Sequence, residues 1–144
     1  MAETLFVEIV TPERAVFTGT VSEVVLPGVV GEMGVLPGHL PLLTAIAMGD
    51  LAVVQDNKTR HFFVEGGYAE ILPNKVSVLT EACDGIDEID VSTAKKALET
   101  AEKQLLALEE RSRAEEIEGD VRKAHEEALE RARRRLLMAE GDKH

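Results

Sequence analysis

The fold is decided by residues Val24–Gly49, which read VVLPGVVGEMGVLPGHLPLLTAIAMG. Five glycines and three prolines stand among apolar residues, and only Glu32 and His39 are titratable. Glycine permits a positive φ and proline presets a turn, while the apolar content is too high for a solvated linker. The segment therefore predicts short buried strands that are joined by tight turns.

The strand pattern extends over residues 1–85, which hold all five prolines and all five aromatic side chains. Predicted strands cover residues 5–10, 15–18, 21–26, 51–55, 61–65, 69–72 and 75–80. Turns are predicted at Asp56-Asn57-Lys58, Gly66-Gly67 and Pro73-Asn74. No helix of about ten residues fits between these strands, which excludes parallel βαβ units. We therefore predict an antiparallel β-sandwich or flattened barrel as the first domain, residues 1–85.

Residues 86–144 are rich in Ala, Glu, Lys, Leu and Arg, the strong helix formers, and predict an antiparallel helical hairpin as a second domain. The fold class is therefore α+β with two domains. Asp90 is the expected cap of the first helix, whose apolar positions are Val91, Ala94, Leu98, Ala101, Leu105 and Leu108.

The sequence Glu115–Gly119 interrupts the helical pattern, and Asp120 is the expected cap of a second helix. Its predicted apolar stripe consists of Val121, Ala124, Ala128, Ala132 and Leu136. Both stripes are narrow and rich in alanine, so the seam between the helices buries little area. We expect a hairpin that can detach and rearrange.

The overall charge and the cysteine content restrict the partners and the compartment. The formal net charge is −11, which argues against nucleic acid or an anionic membrane surface as a main partner. Cys83 is the single cysteine, which favours a reducing compartment and, at a strand end, a small buried side chain. No apolar run approaches the roughly 20 residues that a membrane span needs. These features predict an intracellular protein.

The sequence contains no recognisable catalytic constellation. The glycine-rich segment lacks the Lys-Ser/Thr pair of a phosphate-binding loop, and no serine lies in a G-x-S-x-G turn. The four histidines are scattered, without metal-ligand spacing. His39 fits a structural or interface position better than a ligand or base. We therefore predict a protein that is not an enzyme and binds no metal.

Four arginines, Arg131, Arg133, Arg134 and Arg135, concentrate positive charge within five positions of the second predicted helix. Cations near a helix C-terminus are favourable, and Glu127 and Glu130 are close enough in sequence to pair with them. The cluster could equally dock onto an acidic partner surface, because arginine binds carboxylates through two hydrogen bonds. The sequence leaves both interpretations open.

Several motifs together resemble the ε subunit of bacterial F-type ATP synthase. They are GEMGVLPGH at 31–39, PLLTA at 41–45, VTPE at 10–13 and VEGGY at 64–68. The resemblance covers essentially the whole chain, including the order of a sandwich followed by a helical hairpin.

The resemblance implies a non-catalytic rotor subunit of the central stalk, on the cytoplasmic face of the bacterial inner membrane. The sandwich is expected to bind the γ subunit and the c-ring, and the residues that match the c-ring segment are Glu32, Met33, Gly34 and His39. The hairpin is expected to extend along γ towards the α and β subunits and to restrain ATP hydrolysis. In that state Arg131, Arg133, Arg134 and Arg135 would meet an acidic β-subunit loop.

One position departs from the family. Several bacterial members bind ATP through an aliphatic-Asp-x-x-Arg-Ala pattern, and Ile89, Asp90 and Ala94 match it here. Thr93 stands where the pattern has arginine, which removes a cation and its fork of donors. We therefore expect weak or absent ATP binding, Asp90 serving as a helix cap, and no other cofactor.

Two other classes of function compete with the rotor subunit. One is a free-standing adaptor that uses its helical hairpin to bind a partner. The other is an enzyme with a site in the glycine-rich segment, which the missing nucleophile, metal and phosphate motifs make improbable. Binding of a γ-like chain separates the first of these from the rotor subunit.

Overall fold

A computed structural model describes residues 3–142, which fall into two compact units, Met1–Ile86 and Asp87–His144. The first unit contains eight strands. They are β1 (Leu5–Val10), β2 (Ala15–Val21), β3 (Glu23–Gly28), β4 (Gly31–Val35), β5 (Leu42–Gln55), β6 (Lys58–Leu72), β7 (Lys75–Leu79) and β8 (Cys83–Gly85).

The strands form one hydrogen-bonded sheet in the order β2-β1-β7-β6-β5-β3-β4, with β8 added to β6. The sheet folds back on itself, because side chains from strands at both ends of this order share one core and Phe17 of β2 meets Phe62 of β6 edge to face. The core consists mostly of Val, Leu and Ile, which alternate with outward residues along β1, whereas β5 and β6 each contain three consecutive buried residues. Cys83 is among its buried members. The predicted sandwich is confirmed.

Pairing is antiparallel throughout, except that β1 and β7 run parallel from Phe6↔Lys75 to Val10↔Leu79. The chain between those two strands is the rest of the sheet rather than a crossover helix, so no βαβ unit arises. The paired residues of β1 and β7 are more than 60 positions apart in the sequence. Their pairing depends on closure of the core, so no local sequence pattern predicts it.

The hairpin between β5 and β6 turns at Asp56 and Asn57, whose φ values of 51° and 63° are those of a type I′ turn. This turn and the one at Pro73-Asn74 are confirmed. The predicted turn at Gly66-Gly67 is wrong, because both residues lie inside β6, where Gly67 pairs with Ile46 of β5. Their φ values of 95° and 124° bend a 15-residue strand instead of ending it.

The strand boundaries within Val24–Gly49 also need correction. β5 begins at Leu42, nine residues before the predicted start at residue 51, and residues 42–49 pair with β6. The segment is not uniformly buried either. Only Val24, Leu26, Val35 and Ile46 are buried, whereas its turns carry large exposed apolar side chains.

The second unit contains a 3-10 turn at Ile86–Glu88 and the helices α1 (Val91–Ser112) and α2 (Gly119–Asp142). Asp90 caps α1 as predicted, because its carboxylate accepts a hydrogen bond from the Ser92 amide. The predicted stripe of α1 is confirmed: Ala94, Ala101 and Leu108 are buried, and Val91, Leu98 and Leu105 are half-buried.

The predicted stripe of α2 is partly wrong. Val121 and Ala124 are exposed, whereas Leu129 and Ala139 are buried. The face towards α1 therefore runs about one position later and includes Arg122, whose guanidinium donates to the Ser112 hydroxyl at 3.2 Å. Apolar periodicity missed this face because long polar side chains share it.

Asp120 is not the cap of α2. The amides of Val121 and Arg122 donate to the Glu118 carbonyl, so the helix starts before Asp120 and places it in the first turn. A carboxylate there still stabilises the positive end of the helix.

Candidate functional site

The turn between β3 and β4 presents two exposed apolar side chains. Val29 and Val30 are 62% and 99% exposed, and Gly31 completes the turn with a φ of 144°. Of the predicted ring-contact residues that follow, Glu32 is exposed, Met33 packs against the core and Gly34 is exposed at the sheet edge. The turn therefore offers valine side chains and a carboxylate to a partner.

The loop between β4 and β5 is a second exposed apolar surface. Its fold is fixed by the Gly38 amide, which donates to the Pro73 carbonyl at 2.7 Å, and by the His39 ring, whose Nδ1 lies 2.7 Å from the Leu40 carbonyl oxygen. Nδ1 must then carry the proton, which assigns His39 a structural contact with its own loop. Leu36, Leu40 and Leu43 are exposed to solvent around it. Sequence analysis missed these leucines because it assigned the segment to the core.

A groove of about 410 Å³ crosses the strand unit beside Gly67. It is lined by Val10, Thr11, Pro12, Gly67, Tyr68, Leu79, Thr80 and Glu81, and Tyr68 and Leu79 are each 60% exposed. Two of the motifs at 10–13 and 64–68 thus meet in space. A groove with a mostly apolar lining suits the burial of a partner's apolar side chains.

The second unit holds a smaller cavity of about 240 Å³ between the start of α1 and the last part of α2. Its lining contains every candidate nucleotide-binding position, namely Ile89, Asp90, Thr93 and Ala94, together with Glu88, Ala97 and Arg135. The structure therefore brings one member of the arginine cluster to the site where Thr93 replaces the family's arginine. Sequence reasoning treated the two features separately, because only the antiparallel pairing of the helices joins them.

Asp90 is already engaged at this cavity. The Thr93 hydroxyl donates to one carboxylate oxygen at 2.7 Å and the Ser92 amide donates to the other at 3.3 Å. These bonds, the one from Thr93 first, lower the pKa of Asp90 below its ordinary value of 3.8. The carboxylate is therefore charged at neutral pH and acts as a helix cap.

The arginine cluster divides between two faces of α2. Arg131 and Arg135 are half-buried, whereas Arg133 and Arg134 are exposed. Arg134 donates to Glu130 at 2.8 Å, an i,i+4 pair of the kind that sequence reasoning considered. A flat acidic partner surface can reach Arg133 and Arg134 directly, while Arg131 and Arg135 remain accessible only in part.

The other histidines that the structure describes have neighbouring partners. His61 pairs with Asp50 at 2.9 Å, His125 bonds the Val121 carbonyl, and His144 lies outside the described residues. Within residues 3–142, no three His, Cys, Asp or Glu side chains are grouped as metal ligands. The helices of that same range are too short or too polar to cross a bilayer.

Comparisons with known proteins agree with this geometry. The family model described as "ATP synthase, Delta/Epsilon chain, beta-sandwich domain" matches residues 4–84. Proteins named ATP synthase epsilon chain are 46% identical over 110 residues in Lawsonia intracellularis (76% of this chain, 83% of the relative) and 42% identical over 139 residues in Geotalea uraniireducens (96% of each).

A solved structure is also similar. One chain of the Euglena gracilis mitochondrial ATP synthase structure (OSCP/F1/c-ring) is 26% identical, with a TM-score of 0.72 over 98% of this chain and 82% of that one. The two units, the matching motifs and these relatives converge on one assignment. The chain belongs to the ATP synthase epsilon-chain family and is a non-catalytic subunit of that membrane-associated complex.

Proposed function

We propose that the chain is a central-stalk rotor subunit that couples the catalytic head of ATP synthase to the membrane c-ring during ion-driven ATP synthesis. The observation that carries this proposal is the set of exposed apolar side chains on a strand unit whose other apolar side chains are mostly buried. Monomeric proteins rarely leave such side chains in water without a partner, so these surfaces are docking sites.

The family resemblance suggests a partner for each surface, and the apolar side chains are compatible with that partner. The groove beside Gly67, with Tyr68 and Leu79 at its rim, binds the γ subunit through apolar contacts. The turn that carries Val29, Val30 and Glu32 and the loop around His39 contact the c-ring. We propose accordingly that the subunit lies at the cytoplasmic face of the bacterial cell membrane, associated with the membrane only through the complex.

The helical unit restrains ATP hydrolysis when it extends. α1 has 22 residues, so a single extended helix reaches about 33 Å along γ, far enough to approach the α and β subunits. The exposed Arg133 and Arg134 make the first contact with an acidic β-subunit loop, and Arg131 and Arg135 join once α2 leaves α1. Bidentate bonds to carboxylates then hold the extended state.

ATP is at most a weak ligand of this chain. Thr93 supplies a hydroxyl where the family pattern supplies a guanidinium, and that hydroxyl already bonds Asp90. Arg135 is the one cation among the described residues that line the cavity, and the carboxylates of Glu88 and Asp90 in the same lining repel a triphosphate.

Calorimetry on the full chain with Thr93→Arg and a matched Ser92→Arg control tests this view of ATP. We expect little heat from the unsubstituted chain and from Ser92→Arg, with at least tenfold tighter binding by Thr93→Arg. Tight ATP binding by the unsubstituted chain would overturn the proposal that Thr93 weakens the site.

Deletion of residues 87–144 in the reconstituted complex tests the rotor and inhibitory roles separately. We expect the shortened chain to bind γ and the c-ring as before, because the residues of the groove, the turn and the loop that are proposed to contact them lie before Ile86. We also expect ATP hydrolysis to rise. Unchanged hydrolysis contradicts the inhibitory role alone. Failure of the full chain to bind γ contradicts the rotor assignment and favours an adaptor.

A further inference from the structure

Three large apolar side chains surround one carboxylate on the outer surface of the strand unit. Tyr68 and Glu70 lie two positions apart on β6, so their side chains point to the same side of the sheet. Leu79 of β7 is paired with Tyr68, and Leu43 of β5 is paired with Glu70. All three apolar side chains are largely exposed, and Glu70 is exposed among them. We name these four residues, Leu43, Tyr68, Glu70 and Leu79, the Glu70 face.

The carboxylate of Glu70 is not balanced by a cation of the strand unit. Within residues 3–142, Glu70 forms no ion pair. The outward row that contains it continues through Ser77 of β7 to Glu8 of β1. Lys75 lies beside that second carboxylate, with its Nζ atom 3.6 Å from Glu8 Oε2 and 6.0 Å from the centroid of the Phe6 ring. The nearest lysine of this surface is therefore held at Glu8, and Glu70 is left to solvent.

A partner that covers the Glu70 face removes its carboxylate from water along with the apolar side chains. A buried carboxylate is costly unless a cation or hydrogen-bond donors pair with it. The strand unit is a poor source of that cation, because residues 1–85 contain eleven acidic side chains and only four basic ones. The chemistry of the face therefore fits a partner segment in which apolar side chains flank a lysine or an arginine.

A second copy of this chain fits the Glu70 face poorly. In a twofold dimer the same patch meets itself, so the two Glu70 carboxylates would approach each other and repel. Tyr68 and Leu79 of this face also line the groove beside Gly67. The γ subunit, which the proposed function assigns to that groove, is therefore the occupant that the position and the charge of the face favour.

We propose that Glu70 determines the specificity of this docking surface: a segment of the γ subunit covers the Glu70 face with apolar side chains and places a lysine or an arginine against the Glu70 carboxylate. This inference rests on the proposed binding of γ through the groove. Leu43 belongs both to the Glu70 face and to the exposed leucines around His39. The surfaces for γ and for the c-ring therefore adjoin at Leu43.

Binding of the full chain to an immobilised complex of the α, β and γ subunits, measured by surface plasmon resonance, tests the proposal. Glu70→Gln should raise Kd at least about tenfold, mainly through faster dissociation, because the cation of γ is then buried without its carboxylate. Asp56→Asn removes the same charge from the exposed turn between β5 and β6 and should change Kd less than about twofold. Both variants should keep the melting temperature of the unsubstituted chain, because both side chains are exposed in it.

A charge exchange provides the second measurement. Glu70→Lys should bind more weakly than Glu70→Gln, and replacement of one lysine or arginine of γ by glutamate should restore its binding at least about tenfold. Equal Kd values for Glu70→Gln and Asp56→Asn would overturn the inference while leaving γ binding itself intact, as would a Glu70→Lys chain that no such replacement in γ rescues. Absence of binding by the unsubstituted chain would overturn the proposed function as well. Self-association that Glu70→Gln strengthens would assign the face to a second copy and also overturn the inference.

Discussion

The two units of this chain differ in how many apolar side chains they bury. Among the described residues, the strand unit buries thirteen aliphatic and aromatic side chains completely and still exposes leucines and valines at its loops. Within the part of the chain that the structure describes, the two long helices bury five side chains, three of them alanines, and half-buried residues such as Leu98, Leu105 and Arg122 cover the rest of the seam. The strand unit is thus held together by a large apolar core, and the helical unit by a much smaller one.

The largest effect should come from the core of the strand unit. Phe62 is fully buried and meets Phe17 at a ring-centroid distance of 5.6 Å. Phe62→Ala should lower the free energy of unfolding by about 3–5 kcal/mol, because it removes the ring and leaves a cavity. Urea unfolding followed by circular dichroism measures the loss. Phe6→Ala, at a position 37% exposed, should lose less than half as much, and equal losses would contradict a single shared core.

A methyl group at Gly67 should have the next largest effect. A Cβ there would lie only 2.0 Å from the Leu79 carbonyl oxygen, at a φ of 124° that side chains rarely adopt. Gly67→Ala should destabilise the strand unit by about 3 kcal/mol, since backbone strain alone costs 1–3 kcal/mol. Gly38→Ala has a similar φ of 88° but open space, and should cost about 1 kcal/mol. Thermal unfolding measures both losses. If Gly38→Ala proved more destabilising than Gly67→Ala, the backbone of β6 would have to shift to accommodate the added methyl group.

The helical unit gives a smaller and more local effect. Leu108 is 4% exposed at the seam, and Leu106 on the same helix is 58% exposed. Leu108→Ala should lower the opening free energy of α1 and α2 by about 2 kcal/mol, while Leu106→Ala should leave it almost unchanged. Amide hydrogen exchange of the full chain measures both. In both variants we expect the amides of the strand unit to exchange more slowly than those of the helices.

The smallest effect concerns the cap of α1. Hydrogen bonds from Thr93 and Ser92 depress the pKa of Asp90 in the folded chain, so its contribution to stability is complete above its ordinary value of 3.8. That contribution is lost as the pH falls through the lower, folded value. Amide protection in the first turn of α1 should therefore weaken below about pH 4. Asp90→Asn keeps a capping oxygen that does not titrate, so its protection should be lower at pH 7 and flat with pH. A parallel decline in both chains would assign the acid sensitivity to another group.

The sequence predicted elements that local chemistry decides. The α1 stripe, the Asp90 cap and the Asp56-Asn57 turn follow from spacing and turn preference, and all three are observed. Gly66-Gly67 was misread because a glycine pair serves a bend within a strand as well as a turn between strands. The parallel pairing of β1 with β7 and the cavity that Arg135 and Asp90 both line bring together residues far apart in the chain. No local pattern encodes such neighbours.

The exposed surfaces were the hardest features to foresee. Val30 and Leu40 are residue types that are usually buried. Only the folded sheet shows that both side chains lie outside the core. Conversely, Arg122 reads as a solvated residue but faces α1. Exposed apolar side chains and half-buried cationic ones both break the rule that apolar residues lie inside and charged residues outside. Such exceptions are expected at functional positions.

Native-state hydrogen exchange on the unsubstituted chain, measured amide by amide across low urea concentrations, tests the contrast between the two units most directly. We predict that amides of α1 and α2 exchange through an opening at least about 2 kcal/mol less costly than the one that exposes β1, β5 and β6. That result makes the hairpin a separately opening element on a stable platform. Convergence of all helix and strand amides on one common opening free energy would contradict it.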